Sequence, residues 1–169
     1  TIKPPESVAN APDVSIFNKA IAYYVTYDKN GEIETIGEKV TVDSNGKPTN
    51  APAGWYDYKN KIWANIVTAS EELTAAEKAD ISTATTKNVA YWVWIPRYEY
   101  RIIDTSKDSD YIEGDTVLDE FVSINFIGTN VTKPSIDGYI IPETFTWNGK
   151  ALSGYWVSKY EVSDVVTNQ

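Results

Sequence analysis

AYWVWIPRYEYRI, residues 90–102, is the stretch against which the rest of the chain is expected to fold, because no other window packs so much apolar and β-favouring side chain into so few residues. Strict alternation places Trp92 and Trp94 on one face of a strand and Tyr91, Val93 and Ile95 on the other, so both faces need cover. That describes a central strand. Pro96 has no N–H to give to a ladder, which predicts a bend or bulge before the chain resumes an extended course. Beyond it Arg97, Glu99 and Arg101 fall on one face and Tyr98, Tyr100 and Ile102 on the other, the pattern of a half-solvated strand with opposite charges two residues apart.

Upstream, residues 1–13 (TIKPPESVANAPD) carry three prolines and no hydrophobic period and read as an extended arm. Such an arm is either a disordered leader or an assembly element docking on a neighbouring copy, with Pro4, Pro5, Val8 and Pro12 as the contact residues. Residues 14–27 are β-rich, and Asn30-Gly31 after them is a hairpin signal, since both central positions of a tight turn need positive φ. A return strand, Ile33 to Asp43, and the turn cluster Ser44 to Gly54 complete a small β-meander over residues 14–54. Residues 55–169 then form an aromatic-rich β-domain, or continue the meander as one domain. In it, residues 55–68 (WYDYKNKIWANIVT) read as a hairpin bearing Trp55 and Trp63 around Lys59-Asn60-Lys61. Residues 70–87 give the single convincing helix, with Thr74 and Glu77 matching a capping box. Its apolar face, Leu73, Ala76 and Ile81, is narrow, which places it on the surface.

Downstream of the central strand, residues 104–115 (DTSKDSDYIEGD) are acidic and loop-like. Asp108, Asp110, Glu113 and Asp115 have the oxygen chemistry for Ca²⁺, although the spacing does not match an EF-hand, and a solvated loop is the plainer reading. Residues 121–127 alternate again, with Val122, Ile124 and Phe126 expected to point inward. Asn148-Gly149 marks a tight turn after a strand and a corner at Pro142. Residues 154–162 (GYWVSKYEV) echo the opening stretch: Tyr155-Trp156-Val157 matches Tyr91-Trp92-Val93, and Lys159-Tyr160-Glu161 matches Arg97-Tyr98-Glu99. Similar patterns imply similar environments, as in neighbouring strands of one sheet.

Composition narrows the function. Aromatic residues make up 13% of the chain, with 6 Trp and 12 Tyr against 4 Phe, so most large rings carry a polar tip suited to interfaces and carbohydrate platforms. A net charge of −9 repels phosphate backbones and anionic lipid, which argues against nucleic-acid and membrane-surface partners. With neither His nor Cys, ordinary zinc and copper sites, thiol nucleophiles and His-based triads are excluded. No window has the length of a transmembrane helix. There is no Met, so Thr1 is not expected to be the translation start, and removal of an export or assembly segment is the favoured explanation.

Val93-Trp94-Ile95-Pro96, followed after a variable stretch by Gly154-Tyr155-Trp156-Val157-Ser158-Lys159-Tyr160-Glu161-Val162, resembles the opening of the formylglycine-generating enzyme and sulfatase-modifying family. The same strands together with residues 55–67 are also similar to modules of surface-exposed, pilin-like and phage tail or appendage proteins of Gram-positive bacteria. The resemblance covers residues 55–162 and implies a fold that is C-type-lectin-like in part. It implies no activity: the family's chemistry uses cysteine and a metal in the later half of its domain, this chain has no Cys, and Arg97 and Tyr98 replace the two glycines that usually follow the WIP corner.

The expected fold class is mainly β (α+β), with irregular antiparallel sheets and one surface helix. The expected function is non-catalytic: an extracellular, cell-surface or virion-surface module binding a cell-surface glycan or protein, with no cofactor. Trp55, Tyr56, Tyr58 and Trp147 are the candidate ligand-stacking residues because they flank turns. The alternative is a structural subunit of a filament, pilus or phage appendage whose partners are other copies of itself, joined through the N-terminal arm and sheet edges. An enzyme would need other chemistry, for which Glu99 and Glu161 are the candidate carboxylate pair. Structural pairing of those carboxylates with Arg97, Arg101 or Lys159 is the plainer reading.

Overall fold

The structure is a computed structural model that describes residues 10–28, 30–102 and 122–160. The chain is mainly β with antiparallel pairing and, among the described residues, one short α-helix. It forms two compact units, a sheet unit of Asp13–Ile95 and Trp156–Gln169 and a ribbon unit of Thr1–Pro12 and Pro96–Tyr155.

In the sheet unit, β1 (Ile21–Tyr27), β2 (Ile33–Lys39), β3 (Asn65–Ala69), β4 (Ala90–Pro96) and β9 (Gly154–Ser158) lie in the order β2-β1-β3-β4-β9. The two echoing Tyr-Trp-Val stretches are therefore adjacent strands, as their matching patterns require. Period-2 alternation sends successive residues to opposite faces. Register aligns Tyr24, Ile66 and Trp92 in one row across the sheet and Tyr23, Val67 and Tyr91 in the next. The first row packs with Val14, Phe17, Trp55 and Trp94, the second with Leu73, Ala84 and Ile81, so both faces of the sheet are covered. Two covered faces explain why β1 and β4 are apolar in nearly every position.

The helix, α1 (Ala75–Ala79), is shorter than the window 70–87 from which it was expected. The capping box is present: Thr74 Oγ1 accepts from Glu77 N–H at 3.3 Å, and Thr74 N–H donates to Glu77 Oε2 at 2.7 Å. Asp80 ends the helix by taking an extended conformation and accepting the Ser82 N–H at 3.1 Å, starting a single 3₁₀ turn over Ile81–Thr83. Ser82, Thr83, Thr85 and Thr86 are all residues whose side chains compete with helix, so nothing restores it. Of the expected apolar face Leu73 is buried and Ala76 is exposed.

Asn30-Gly31 lies in the connection of the β1–β2 hairpin, as expected, but that connection is longer than a two-residue turn, since the Asp28 N–H donates to the Glu32 carbonyl at 2.9 Å. Gly31 is left-handed at φ +81°, and its N–H donates to the Asp28 carbonyl at 3.0 Å. The Asp28 carboxylate accepts the N–H groups of Asn30 (2.8 Å) and Glu32 (2.9 Å), which widens the loop. Those donors, the Glu32 N–H foremost, hold the Asp28 carboxyl below its ordinary value. Asp43 does the same for Asn45 and Lys47.

In the ribbon unit, β5 (Tyr98–Ile102) pairs with β6 (Val122–Phe126), and β7 (Thr146–Trp147) pairs with β8 (Lys150–Ala151) around Asn148-Gly149. Asn148 and Gly149 have φ of 48° and 74°, the two positive values that a two-residue hairpin turn demands. The β5–β6 ribbon is turned opposite to expectation. Directly opposed residues share a face, so Ile102, Val122, Tyr100 and Ile124 lie together, and this is the exposed side, with Ile102 69% accessible. Val122 and Ile124 thus point outward, while the alternate residues Glu99 and Ser123 are buried. The polar side is inward, where its carboxylate and hydroxyls find hydrogen-bond partners. Glu99 accepts from Asn125 Nδ2 (2.7 Å), from Ser135 N–H (2.7 Å) and from the Ser135 hydroxyl, and the Ser123 and Tyr139 hydroxyls lie 2.6 Å apart. Arg97, also buried, donates from Nη1 to the Phe145 carbonyl (2.7 Å) and from Nη2 to the Val131 carbonyl (3.0 Å). Burial draws its guanidinium below the ordinary value.

Candidate functional site

The four rings selected from the sequence fall in different environments. Trp55 is 2% exposed and belongs to the core of the sheet unit. Its indole N–H donates to the Asn65 carbonyl at 2.8 Å, its edge meets Tyr24 at 4.7 Å between centroids, and Trp156 lies against it at 6.3 Å. With its polar tip and its faces engaged, Trp55 has no surface on which a ligand ring can stack, which corrects its selection as a binding residue. A position beside a turn did not expose it because the chain folds back at once into β3.

Tyr56 and Tyr58 are half-buried and form an aromatic ledge with Trp63, which is 40% exposed. Ring centroids are 5.3 Å apart for Tyr56 and Tyr58 and 5.4 Å for Tyr58 and Trp63, the latter edge-to-face. The intervening loop is fixed at both ends. Asp57 and Ile62 exchange backbone hydrogen bonds at 2.9 Å each, the Asp57 carboxylate accepts from Asn60 Nδ2 at 2.6 Å, and Lys61 closes the turn in a left-handed conformation at φ 62°. Asn65 Nδ2 donates to the Trp63 carbonyl at 2.7 Å and fixes the return. Burial pushes the Tyr58 phenol well above its ordinary value, so its hydroxyl stays protonated throughout the physiological range. Lys59 and Lys61 are exposed at the loop tip and bring positive charge to an acidic chain. Trp63 is the residue the sequence-based choice left out. Its signal was its place just after the Lys59-Asn60-Lys61 turn, the mirror of the place that selected Trp55.

Trp147, in the ribbon unit, is 70% exposed. It closes β7 and pairs across the hairpin with Lys150, so a flat apolar ring and an ammonium group share one side of a tight turn.

Of the assembly residues, Pro12 is buried, and nearby Asn10 donates from Nδ2 to the Ile127 carbonyl at 2.9 Å within the ribbon unit. Pro4, Pro5 and Val8 lie outside the described residues, as do the candidate Ca²⁺ ligands Asp108, Asp110, Glu113 and Asp115, and Glu161 of the candidate carboxylate pair. Among the described residues no three His, Cys, Asp or Glu side chains gather as a metal-ligand set. Glu99 is 0% exposed, with both carboxylate oxygens engaged by Asn125 and Ser135, an arrangement suited to holding the ribbon together. Among the described residues no helix is long and apolar enough to cross a membrane.

No protein-family model, curated protein or solved structure matches the chain.

Proposed function

We propose that this chain is a non-catalytic extracellular or virion-surface module that binds a cell-surface ligand, carbohydrate or protein, through exposed aromatic rings. The observation that carries the reading is Trp147, a tryptophan 70% exposed and held on a two-residue turn. A large ring kept in water forgoes the stabilisation that burial gives, about 1.5–3 kcal/mol for a large apolar side chain. The Tyr56-Tyr58-Trp63 ledge of the sheet unit is a second surface of the same chemistry. The partial C-type-lectin likeness of the WIP and GYWV strands belongs to this proposal and agrees with it. Glycan-array and cell-binding measurements test it: Trp147→Ala and the pair Tyr56→Ala with Trp63→Ala should each lower binding while far-UV circular dichroism is unchanged. Binding that survives all three substitutions together removes the assignment.

A second reading, a subunit of a filament, pilus or appendage, is favoured by the outward apolar face of β5–β6. Ile102, Val122 and Ile124 form an uncharged strip on a chain of net charge −9, and an uncharged strip is where two such chains approach with least repulsion. Sedimentation velocity across a wide concentration range tests this. Self-association that Ile102→Asp with Ile124→Asp abolishes supports the subunit reading, and a monomer at every concentration removes it.

A further inference from the structure

Asparagine followed by glycine is the dipeptide in which a backbone nitrogen most readily attacks the preceding side-chain amide, because glycine has no Cβ to hinder the approach. The chain contains Asn30-Gly31, Asn45-Gly46 and Asn148-Gly149. All three asparagines are exposed, so exposure does not rank them. Backbone hydrogen bonding does. Gly31 N–H donates to the Asp28 carbonyl at 3.0 Å and Gly46 N–H donates to the Asp43 carbonyl at 3.1 Å, so in both the attacking nitrogen is already engaged. The amides on either side are engaged too. Asn30 and Glu32 both donate to the Asp28 carboxylate, and Asn45 and Lys47 to the Asp43 carboxylate, so reaching a ring-closing geometry breaks several bonds at once. The Asn30 carboxamide is itself tied to Asp28 Oδ2 at 3.1 Å.

Asn148-Gly149 has none of this. Among the described residues the Gly149 N–H donates no hydrogen bond. The hairpin that carries it has two residue pairs, Thr146 with Ala151 and Trp147 with Lys150, so little ladder has to open for the turn to move.

We propose that Asn148 is the chain's site of spontaneous deamidation. The Gly149 nitrogen attacks Asn148 Cγ. A new C–N bond forms as the Cγ–Nδ2 bond breaks, the Gly149 proton leaves with the amide as ammonia, and the product is a succinimide. Water then opens the ring at one carbonyl or the other, giving aspartate or isoaspartate. Either product puts a carboxylate next to Trp147, in the turn between the paired Trp147 and Lys150, and isoaspartate also lengthens the backbone by a methylene at a turn whose register depends on two left-handed residues. The effect on ligand binding rests on the proposed function, whereas the modification itself does not.

The experiment ages the whole protein in mildly alkaline buffer and follows the three Asn-Gly peptides by mass spectrometry, with electron-based fragmentation to separate isoaspartate from aspartate. The peptide containing Asn148 should convert several-fold faster than those containing Asn30 and Asn45, Gly149→Ala should slow it, and in concentrated urea the three rates should converge. Equal rates in the folded protein, or faster conversion at Asn30 or Asn45, overturn the proposal. Asn148→Asp, assayed separately for glycan and cell binding, reports on the product's effect without the ageing step, so a failure of the binding reading is distinguishable from a failure of the chemistry.

Discussion

Tyr23 and Tyr24 are consecutive in β1, both about fully buried, and their hydroxyls should behave oppositely when removed. The Tyr23 hydroxyl donates to Glu72 Oε2 at 2.6 Å and accepts the Leu73 N–H at 3.0 Å. Tyr23→Phe keeps the ring and its packing but strips the Leu73 N–H of its acceptor. A buried donor left unsatisfied costs about 1–3 kcal/mol, and the exposed Glu72 carboxylate, which keeps Lys39 and water, adds little. The Tyr24 hydroxyl, on the other face of the strand, has no hydrogen-bond partner among the described residues, and burial raises its pKa. Tyr24→Phe removes a desolvated polar group and leaves no partner behind, so it should be neutral or stabilise by about 1 kcal/mol. Equilibrium urea unfolding followed by tryptophan fluorescence reads both. With a slope of about 1–3 kcal/mol per molar, the midpoint should fall by about 1 M in Tyr23→Phe and hold or rise in Tyr24→Phe, with the slope unchanged. Equal losses in the two variants, or a larger loss in Tyr24→Phe, would refute the assignment of partners on which the argument stands.

Glu77 offers a pH test. Its carboxyl is held down to about 2 from an ordinary 4.5, first by the hydrogen-bonded ion pair with Lys87 and then by the Thr74 N–H. A depressed carboxyl contributes stability that is complete above the ordinary value and is lost as pH falls from 4.5 toward 2, so Glu77→Gln should flatten that part of the stability-versus-pH curve; an unchanged acid limb would count against the pairing. Glu99→Gln turns an acceptor into an amide donor facing Asn125 or Ser135 and should cost about 1.5–3 kcal/mol, read by hydrogen exchange as lost protection in β5 and β6; equal loss in β1 and β3 would mean the effect is not local. Trp55→Ala should cost about 3–5 kcal/mol, whereas Trp63→Ala should cost far less, and a reversed order in thermal melts would contradict their placement.

Periodicity tells which residues share a face but not which face turns inward, and the two sheets separate those questions. In β4 both faces are apolar, so alternation was sufficient: Trp92 and Tyr91 each found a core. The Tyr-Trp-Val echo was legible for the same reason, since like neighbours make like demands. In β5 and β6 the partition of residues was read correctly and the direction was not, because burial of Glu99 depends on donors 26 and 36 residues away, Asn125 and Ser135, that no local pattern announces. The helix start was legible in Thr74 and Glu77, whose reciprocal bonds are local, whereas its length was set by Asp80 cutting in. For the rings, proximity to a turn selected both Trp147, which is exposed, and Trp55, which is buried. What separates them is the Asn65 carbonyl that receives the Trp55 indole, ten residues further on.

The strand that completes the five-stranded sheet is the last described one in the chain. Trp156, at its middle, donates its indole N–H to the Asp13 carbonyl at 2.6 Å, across a separation of 143 residues. On a ribosome β1 to β4 emerge before β9, and the flank of β4 stays bare until the ribbon segment has been made and β9 follows. Nascent chains halted anywhere between Pro96 and Gly154 therefore carry an open, tryptophan-bearing edge, and that interval of synthesis is when a holding chaperone has the most to bind.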